Sequence, residues 1–343
     1  MPDIHTRIEG RAGRITLTRP HALNALTHQM CLAIESAIDA WRSDDAVAVV
    51  ILDAQGDRAF CAGGDIGDVW RAGTAGDYDL GRRFWADEYR MNAKLADYPK
   101  PVVAFLHGFV MGGGVGLGGH VSHRVVGESA CIAMPECGIG FVPDVGGSLL
   151  LARAPGRLGE YLGLTSARMG PGDALCAGFA DLFIPQAHWP AIITDLCQTG
   201  NTQRLAAMAA PPPESPLAAR ADKIDALFAA DTVAQIDAAL AGAHGPLAAD
   251  ALKALRRNAP LSMALTLEML RRLRAAPGGI RETLMQEYRV SYRAVEDGDF
   301  LEGVRAQIID KDRDPRWRFQ AGDVTPDKVN AMLAPLGDAE LAL

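Results

Sequence analysis

Residues 14–19, Arg-Ile-Thr-Leu-Thr-Arg, alternate apolar with polar and predict a strand; a turn follows over 21–25. From Leu26 the apolar positions Leu26, Met30, Ala33, Ala37 and Trp41 fall near a 3.6-residue period, which predicts an amphipathic helix over 27–42. Ala46 to Leu52 is a continuous β-branched and apolar run, the pattern of a parallel strand buried on both faces, and Pro101 to Leu106 repeats it. Gly56 to Gly64 reads as a loop, 108–119 as a glycine-dense junction, 123–127 and 131–134 as short strands, and Gly146 opens a helical stretch through 153. The order β, α, β, loop, β, glycine turn, β is that of an α/β layered core. After about residue 186 strand signals fade. Ala209 to Pro216 reads as a linker or exposed loop, and 219–241, 246–257, 260–275 and 279–296 as helices. The division expected is a core over 1–198 and a helical region over 199–343, and no internal repeat stands out.

Composition narrows this picture. The chain has 343 residues, 49% hydrophobic and 22% charged, enough for one large core with a smaller appendage. A net charge of -8 argues against nucleic acid as a partner, because neutralising phosphates needs clustered Lys and Arg. It leaves room for a phosphorylated small molecule, held by a few local donors. Six scattered cysteines without a CxxC pair offer neither metal spacing nor a disulfide framework, so a reducing, cytoplasmic setting is expected. No uninterrupted apolar run reaches eighteen residues, and the start MPDIHTRIEGRAG lacks the apolar segment of a secretory signal, so no membrane association is expected.

Candidate chemistry lies in three clusters. Arg58 to Ile66 holds the AFCAGGD turn, which alone is no more than a tight loop. His107 to Gly119 is so dense in glycine that backbone N–H groups lie unshielded at a strand-to-helix junction; they could face an oxyanion, or the glycines could serve close packing. Gly114, Gly116 and Gly119 also satisfy GxGxxG with Glu136 about twenty residues on, but a lone match in mid-chain is weak evidence for a dinucleotide. The third cluster, Met134 to Gly147, sets Glu136 and Asp144 in an otherwise apolar, glycine-rich stretch without Lys or Arg. Burying carboxylates is costly unless they are paired or used. Asp144 could alternatively cap the helix opened at Gly146. His107, Cys61 and Cys137 are expected to be structural, and Arg58 and Lys100 to be solvated, with the phosphates of a ligand as a lesser alternative.

Together, AFCAGGD, HGFVMGGG and MPE followed by PDVGG resemble the enoyl-CoA hydratase/isomerase, or crotonase, superfamily. MGGGVGL at 111–117, AMPE at 133–136, PDVGG at 143–147 and FLEGVRAQIIDKDRDPRW at 300–317 are most similar to its 3-hydroxyisobutyryl-CoA hydrolase branch. The resemblance implies a spiral of ββα turns followed by a C-terminal helical region. It implies an oxyanion hole from the amides of Gly64 and Gly113, and CoA contacts at Ala62, Asp65 and Ile66. Glu136 is then general base or nucleophile, and Asp144 the group that holds the 3-hydroxyl or orients its partner. Hydratases carry a further glutamate two residues beyond the glycine triplet; here that position is Gly116. His120 matches a histidine of the hydrolase branch. No cofactor is implied, CoA being part of the substrate, and a homo-oligomer is possible. Hydrolysis of a short 3-hydroxyacyl-CoA, as in valine catabolism, is the expected reaction. Enoyl-CoA hydration or isomerisation, or a non-catalytic acyl-CoA-binding subunit, are the alternatives.

Overall fold

The computed structural model describes residues 2–343, and their packing forms two compact units, each drawn from three stretches of chain. One comprises residues 2–65, Arg90–Ala133 and Arg168–Ala219; the other comprises Ile66–Tyr89, Met134–Ala167 and Arg220–Leu343.

The first unit carries every strand. A six-stranded sheet has the order β1 (Ile4–Glu9), β2 (Ala12–Leu17), β3 (Val49–Ala54), β5 (Val102–Leu106), β7 (His123–Val126) and β9 (Leu182–Phe183); a three-stranded sheet joins β4 (Ala59–Cys61), β6 (Phe109–Met111) and β8 (Cys131–Ala133). Among the strands of the described residues only the β1–β2 pair is antiparallel. Successive strand pairs β3β4, β5β6 and β7β8 each send their first strand to the large sheet and their second to the small one. The short helices Gly67–Thr74, Gly113–Gly118 and Gly147–Arg153 come after these pairs in chain order. The α/β class and the ββα order are therefore present, although no side-chain repeat announces them: the backbone repeats while each turn packs a different set of residues. Val49, Val50, Ile51 and all of β5 are buried, as their unbroken apolar runs predicted. A core of Ile51, Val103, Phe105, Val125, Ile184, Trp189 and Leu196 packs against the large sheet.

Local expectations change at β4, at β6 and along the first helix, whereas the Ala/Pro segment is an exposed loop as expected. The loop over 56–64 contains β4, and the glycine junction contains β6, because three-residue strands are too short to show a period. Helix His28–Trp41 forms with Thr27 as N-cap, its hydroxyl accepting from the Met30 amide at 3.2 Å, but its most buried face centres on Ile34 and Ile38. The Ala/Pro segment is anchored: Asp173 accepts from the Ser215 hydroxyl at 2.6 Å and from the Leu217 amide at 2.9 Å.

The second unit is helical. Helices Leu158–Thr165, Pro246–Arg257, Pro260–Ala275 and Ile280–Asp297 lie close to the periods read from sequence where these were read. The span 219–241 is two helices, Ala221–Leu227 and Val233–Gly242, separated at Phe228–Thr232. Helix Asp79–Ala96, to which the sequence reading assigned nothing, contributes its residues up to Tyr89. Val142, Leu261, Leu265, Met269, Val290 and Met332 form one core here. Trp85 stacks on Phe141 at 5.0 Å between centroids, and Phe300 stands edge-on to Trp85 at 5.3 Å.

Candidate active site

In the first unit, β4 and β6 are parallel neighbours, so the turns that leave their C-terminal ends emerge side by side. A Cβ built on Gly63 would lie 3.5 Å from the Met111 carbonyl oxygen, which puts the two glycine turns in contact. Gly64 forms an isolated parallel bridge with Leu26 whose hydrogen bonds come from the residues on either side: Leu26 N–H donates to the Gly63 carbonyl at 2.9 Å and Asp65 N–H to the Leu26 carbonyl at 2.8 Å. The Gly64 amide itself is directed away from that ladder. At the second turn, Gly112 has φ 47° and ψ -117°, a conformation open to glycine alone, and it delivers Gly113 as the first residue of its helix. Neither the Gly64 nor the Gly113 amide donates to another group among the described residues. Close packing is also real: a Cβ on Gly114 would sit 2.2 Å from the Cys61 carbonyl oxygen.

The acids lie in the second unit. Glu136 opens a 3-10 turn, Glu136–Ile139, and Asp144 precedes helix Gly147–Arg153; each side chain is buried, at 5% exposure. Oε2 of Glu136 is enclosed without a hydrogen-bond partner. Asp144 does not cap the helix. Its Oδ2 accepts from the Tyr89 hydroxyl at 2.7 Å, and Tyr89 Oη also lies 2.6 Å from Ser291 Oγ, which donates to the Glu287 carbonyl at 3.1 Å. These three contacts share two hydroxyl protons, so a proton on Asp144 would complete the chain.

Two further carboxyls belong to the same cluster and escaped the sequence reading. Glu88, one residue before Tyr89, is buried with Oε1 unpartnered. Glu287 is fully buried; it accepts from the Gly146 amide at 2.7 Å, the Ser148 amide at 3.1 Å and the Ser148 hydroxyl at 2.5 Å. Glu287, from a distant helix, thus makes the cap that Asp144 might have made. Along the chain it belongs to a polar stripe of the kind a solvent-facing helix side shows, and only its burial sets it apart. Thr283, Glu287 and Ser291 recur every fourth residue on a helix, and all three are fully buried.

Electrostatics follow from this burial. The second unit brings four carboxyls together, and among the described residues none of them is ion-paired with Lys or Arg in the contacts that shift them most. Burial first, and then the charge of Asp144, pushes Glu136 and Glu88 well above the ordinary carboxylate range. Burial raises Asp144 to about 7, with the Tyr89 hydroxyl pulling it down. Burial raises Glu287 to about 8 against its donors on Ser148 and Gly146. Above about pH 7 the pair Glu136–Asp144 therefore holds its charge on Asp144 and its proton on Glu136, the arrangement of an acid–base couple.

The remaining candidates divide. The Ala62 amide donates to the Leu23 carbonyl at 3.1 Å, and the Ile66 carbonyl accepts from Trp70 N–H at 3.0 Å. Asp65 is ion-paired with Arg19 at 3.0 Å. Gly116 donates its amide to the Gly112 carbonyl at 3.1 Å inside the helix and offers no side chain. His120 is half-buried just past that helix. Structural duties claim His107, 2.9 Å from the Gly56 carbonyl, and Lys100, which donates to the Trp41 and Asp44 carbonyls at 2.7 Å. Arg58 is exposed. Burial pushes the Cys137 thiol up to about 12, which makes it a poor nucleophile. Among the described residues, no group of three or more His, Cys, Asp or Glu is arranged to hold a metal ion.

Residues 12–333 match the family model described as enoyl-CoA hydratase/isomerase. The chain is 36% identical to the Gallus gallus protein named 3-hydroxyisobutyryl-CoA hydrolase, mitochondrial, over 99% of this chain and 91% of that protein. With the Xenopus tropicalis protein of the same name the identity is 38%, over 97% and 89%. Among solved structures, one described as an enoyl-CoA hydratase from Rhodobacter sphaeroides matches with TM-score 0.95 and 54% identity, covering 100% of both chains. Another, described as a carnitinyl-CoA dehydratase from Mycobacterium thermoresistibile, matches with TM-score 0.94 and 42% identity, over 100% and 99%.

Proposed function

The chain belongs to the enoyl-CoA hydratase/isomerase, or crotonase, family, and from that premise we propose that it hydrolyses a short 3-hydroxyacyl-CoA, 3-hydroxyisobutyryl-CoA, to the free acid and CoA. The observation that carries this reading is the buried Glu136–Asp144 couple combined with glycine at 116. Adding water across a double bond calls for two water-handling acids, and the one that hydratases carry at that position is missing. Relatives named as hydrolases of this thioester, similar along nearly their whole length, support the same choice. The names of the solved neighbours favour the rival, hydration.

In the mechanism proposed, the thioester oxygen accepts from the Gly64 and Gly113 amides. Charge gathers on that oxygen as the carbon becomes tetrahedral, so donors fixed in advance lower the barrier, by roughly 3–4 kcal/mol per donor. Glu136 passes its proton to Asp144 and, so ionised, drives the attack, directly as nucleophile or by taking a proton from water; the couple's negative charge moves to the thioester oxygen and leaves on the CoA thiolate, and in the nucleophilic route a water then cleaves the anhydride to release the acid. Asp144 also receives the substrate 3-hydroxyl. CoA departs as thiolate, a good leaving group, and no cofactor takes part.

This assignment places the protein in valine breakdown. Six free thiols suit a reducing compartment, which we assign as the cytoplasm, whereas the vertebrate relatives are named mitochondrial. Among the described residues no helix is long and apolar enough to cross a membrane. A homo-oligomer is compatible with this reading. The deciding assay presents 3-hydroxyisobutyryl-CoA and crotonyl-CoA separately. Free thiol from the first, with no loss of the double bond in the second, is expected; hydration of crotonyl-CoA without thiol release would overturn the proposal.

A further inference from the structure

We infer that Glu287, on helix Ile280–Asp297, is a positioning residue that keeps Asp144 aimed by pinning the turn that carries it. The inference rests on the role given above to Asp144. Asp144 begins a tight turn, its carbonyl accepting from Gly147 N–H at 2.6 Å. The next residue, Val145, is β-branched and buried yet sits at φ 52°, followed by Gly146 at φ 80°. A β-branched residue is strained in that left-handed region, so something outside the turn must hold it there.

Glu287 is placed to do so. One oxygen takes the Gly146 amide at 2.7 Å; the other takes the Ser148 amide at 3.1 Å and the Ser148 hydroxyl at 2.5 Å. Two successive left-handed residues turn both amides toward one point, and the carboxylate fills it. Helix Gly147–Arg153 has no side-chain cap from its own N-cap residue, Gly146, so these bonds fall to Glu287. One turn further along the same helix, Ser291 lies 2.6 Å from the Tyr89 hydroxyl that donates to Asp144. The helix therefore holds Asp144 in two ways, through the turn that follows it, by Glu287 on Gly146 and Ser148, and through its carboxylate, by Ser291 acting on the Tyr89 hydroxyl. A fully buried acid without a cationic partner is a costly way merely to cap a seven-residue helix, whereas misplacing a reacting group by about 1 Å can cost on the order of a hundredfold in rate.

The test compares kcat/KM for 3-hydroxyisobutyryl-CoA with that for isobutyryl-CoA, which lacks the hydroxyl, in the full-length protein. Asp144→Asn sets the full loss of discrimination. Glu287→Gln should lower kcat on the hydroxy substrate by about tenfold or more, leave KM within about threefold, and reduce the hydroxy/unsubstituted ratio in the direction of Asp144→Asn. Adding Val145→Gly to Glu287→Gln should restore part of that ratio, since glycine accepts the left-handed conformation without strain. Ser148→Ala, which removes one donor, should shift the ratio the same way by less, and decides the matter if Glu287→Gln does not fold. An unchanged ratio, or equal losses on both substrates, would overturn the role of Glu287. If Asp144→Asn itself leaves the ratio unchanged, the reading of Asp144 fails instead, and the two failures remain distinct.

Discussion

Replacing Tyr89 by Phe removes the one side-chain hydroxyl that donates to Asp144, at 2.7 Å in a buried site, while leaving the ring in place. A donor to a carboxylate favours its ionised form, so its loss must raise the pKa of Asp144. Hydrogen bonds to charged groups contribute about 1.5–3 kcal/mol, and one pH unit corresponds to about 1.4 kcal/mol, so the shift should be about one to two units upward. The starting value is about 7. The active couple carries one negative charge, and protonating Asp144 discharges it, so kcat should fall on the acid side with an apparent pKa near 7 in the parent. In Tyr89→Phe that limb should move toward about 8–9, costing roughly 5- to 50-fold at pH 7 and recovering as pH rises. The assay is thioester cleavage followed from pH 5.5 to 9.5, with thermal melts at each pH. An acid limb that stays in place, moves to lower pH, or shows a loss that does not recover in alkali would refute the charge-sharing argument.

Other outcomes follow from the same arrangement. Glu136→Gln should lower turnover by about 10²–10⁴-fold with little change in KM, measured as free thiol release; near-normal turnover would remove its role. Asp144→Asn should stabilise the fold at high pH, because a carboxyl whose pKa rises from an ordinary 3.8 to about 7 on folding destabilises the native state above about 7 and not below 3.8. Its melting temperature should therefore exceed that of the parent at pH 8 and converge with it near pH 4; a gap that widens in acid would contradict the sign. Gly112→Ala forces a side chain into φ 47°, ψ -117°, a strain of about 1–3 kcal/mol, and should cut kcat about a hundredfold by displacing the Gly113 amide, with KM less affected. An unaltered kcat would argue against an oxyanion hole there.

The sequence by itself determined the long buried strands, because Val49 to Leu52 and Val102 to Leu106 are apolar without interruption, and most of the long helices, because their period survives over several turns. It also singled out both glycine turns and Glu136 and Asp144, since acids in an apolar, glycine-rich stretch are conspicuous along the chain. Three-residue strands such as β4 and β6 carried no period and became visible only through their pairing. Glu88, Tyr89, Glu287 and Ser291 look along the chain like the ordinary polar residues of amphipathic helices. Folding puts them next to Asp144, from which they lie 55–56 and 143–147 positions away in the chain, and burial then changes what their protons do. A local pattern records which face of an element is apolar; it does not record which distant carboxyl will share that interior. Only the tertiary structure decides this, because the cost of a buried charge is set by everything packed around it.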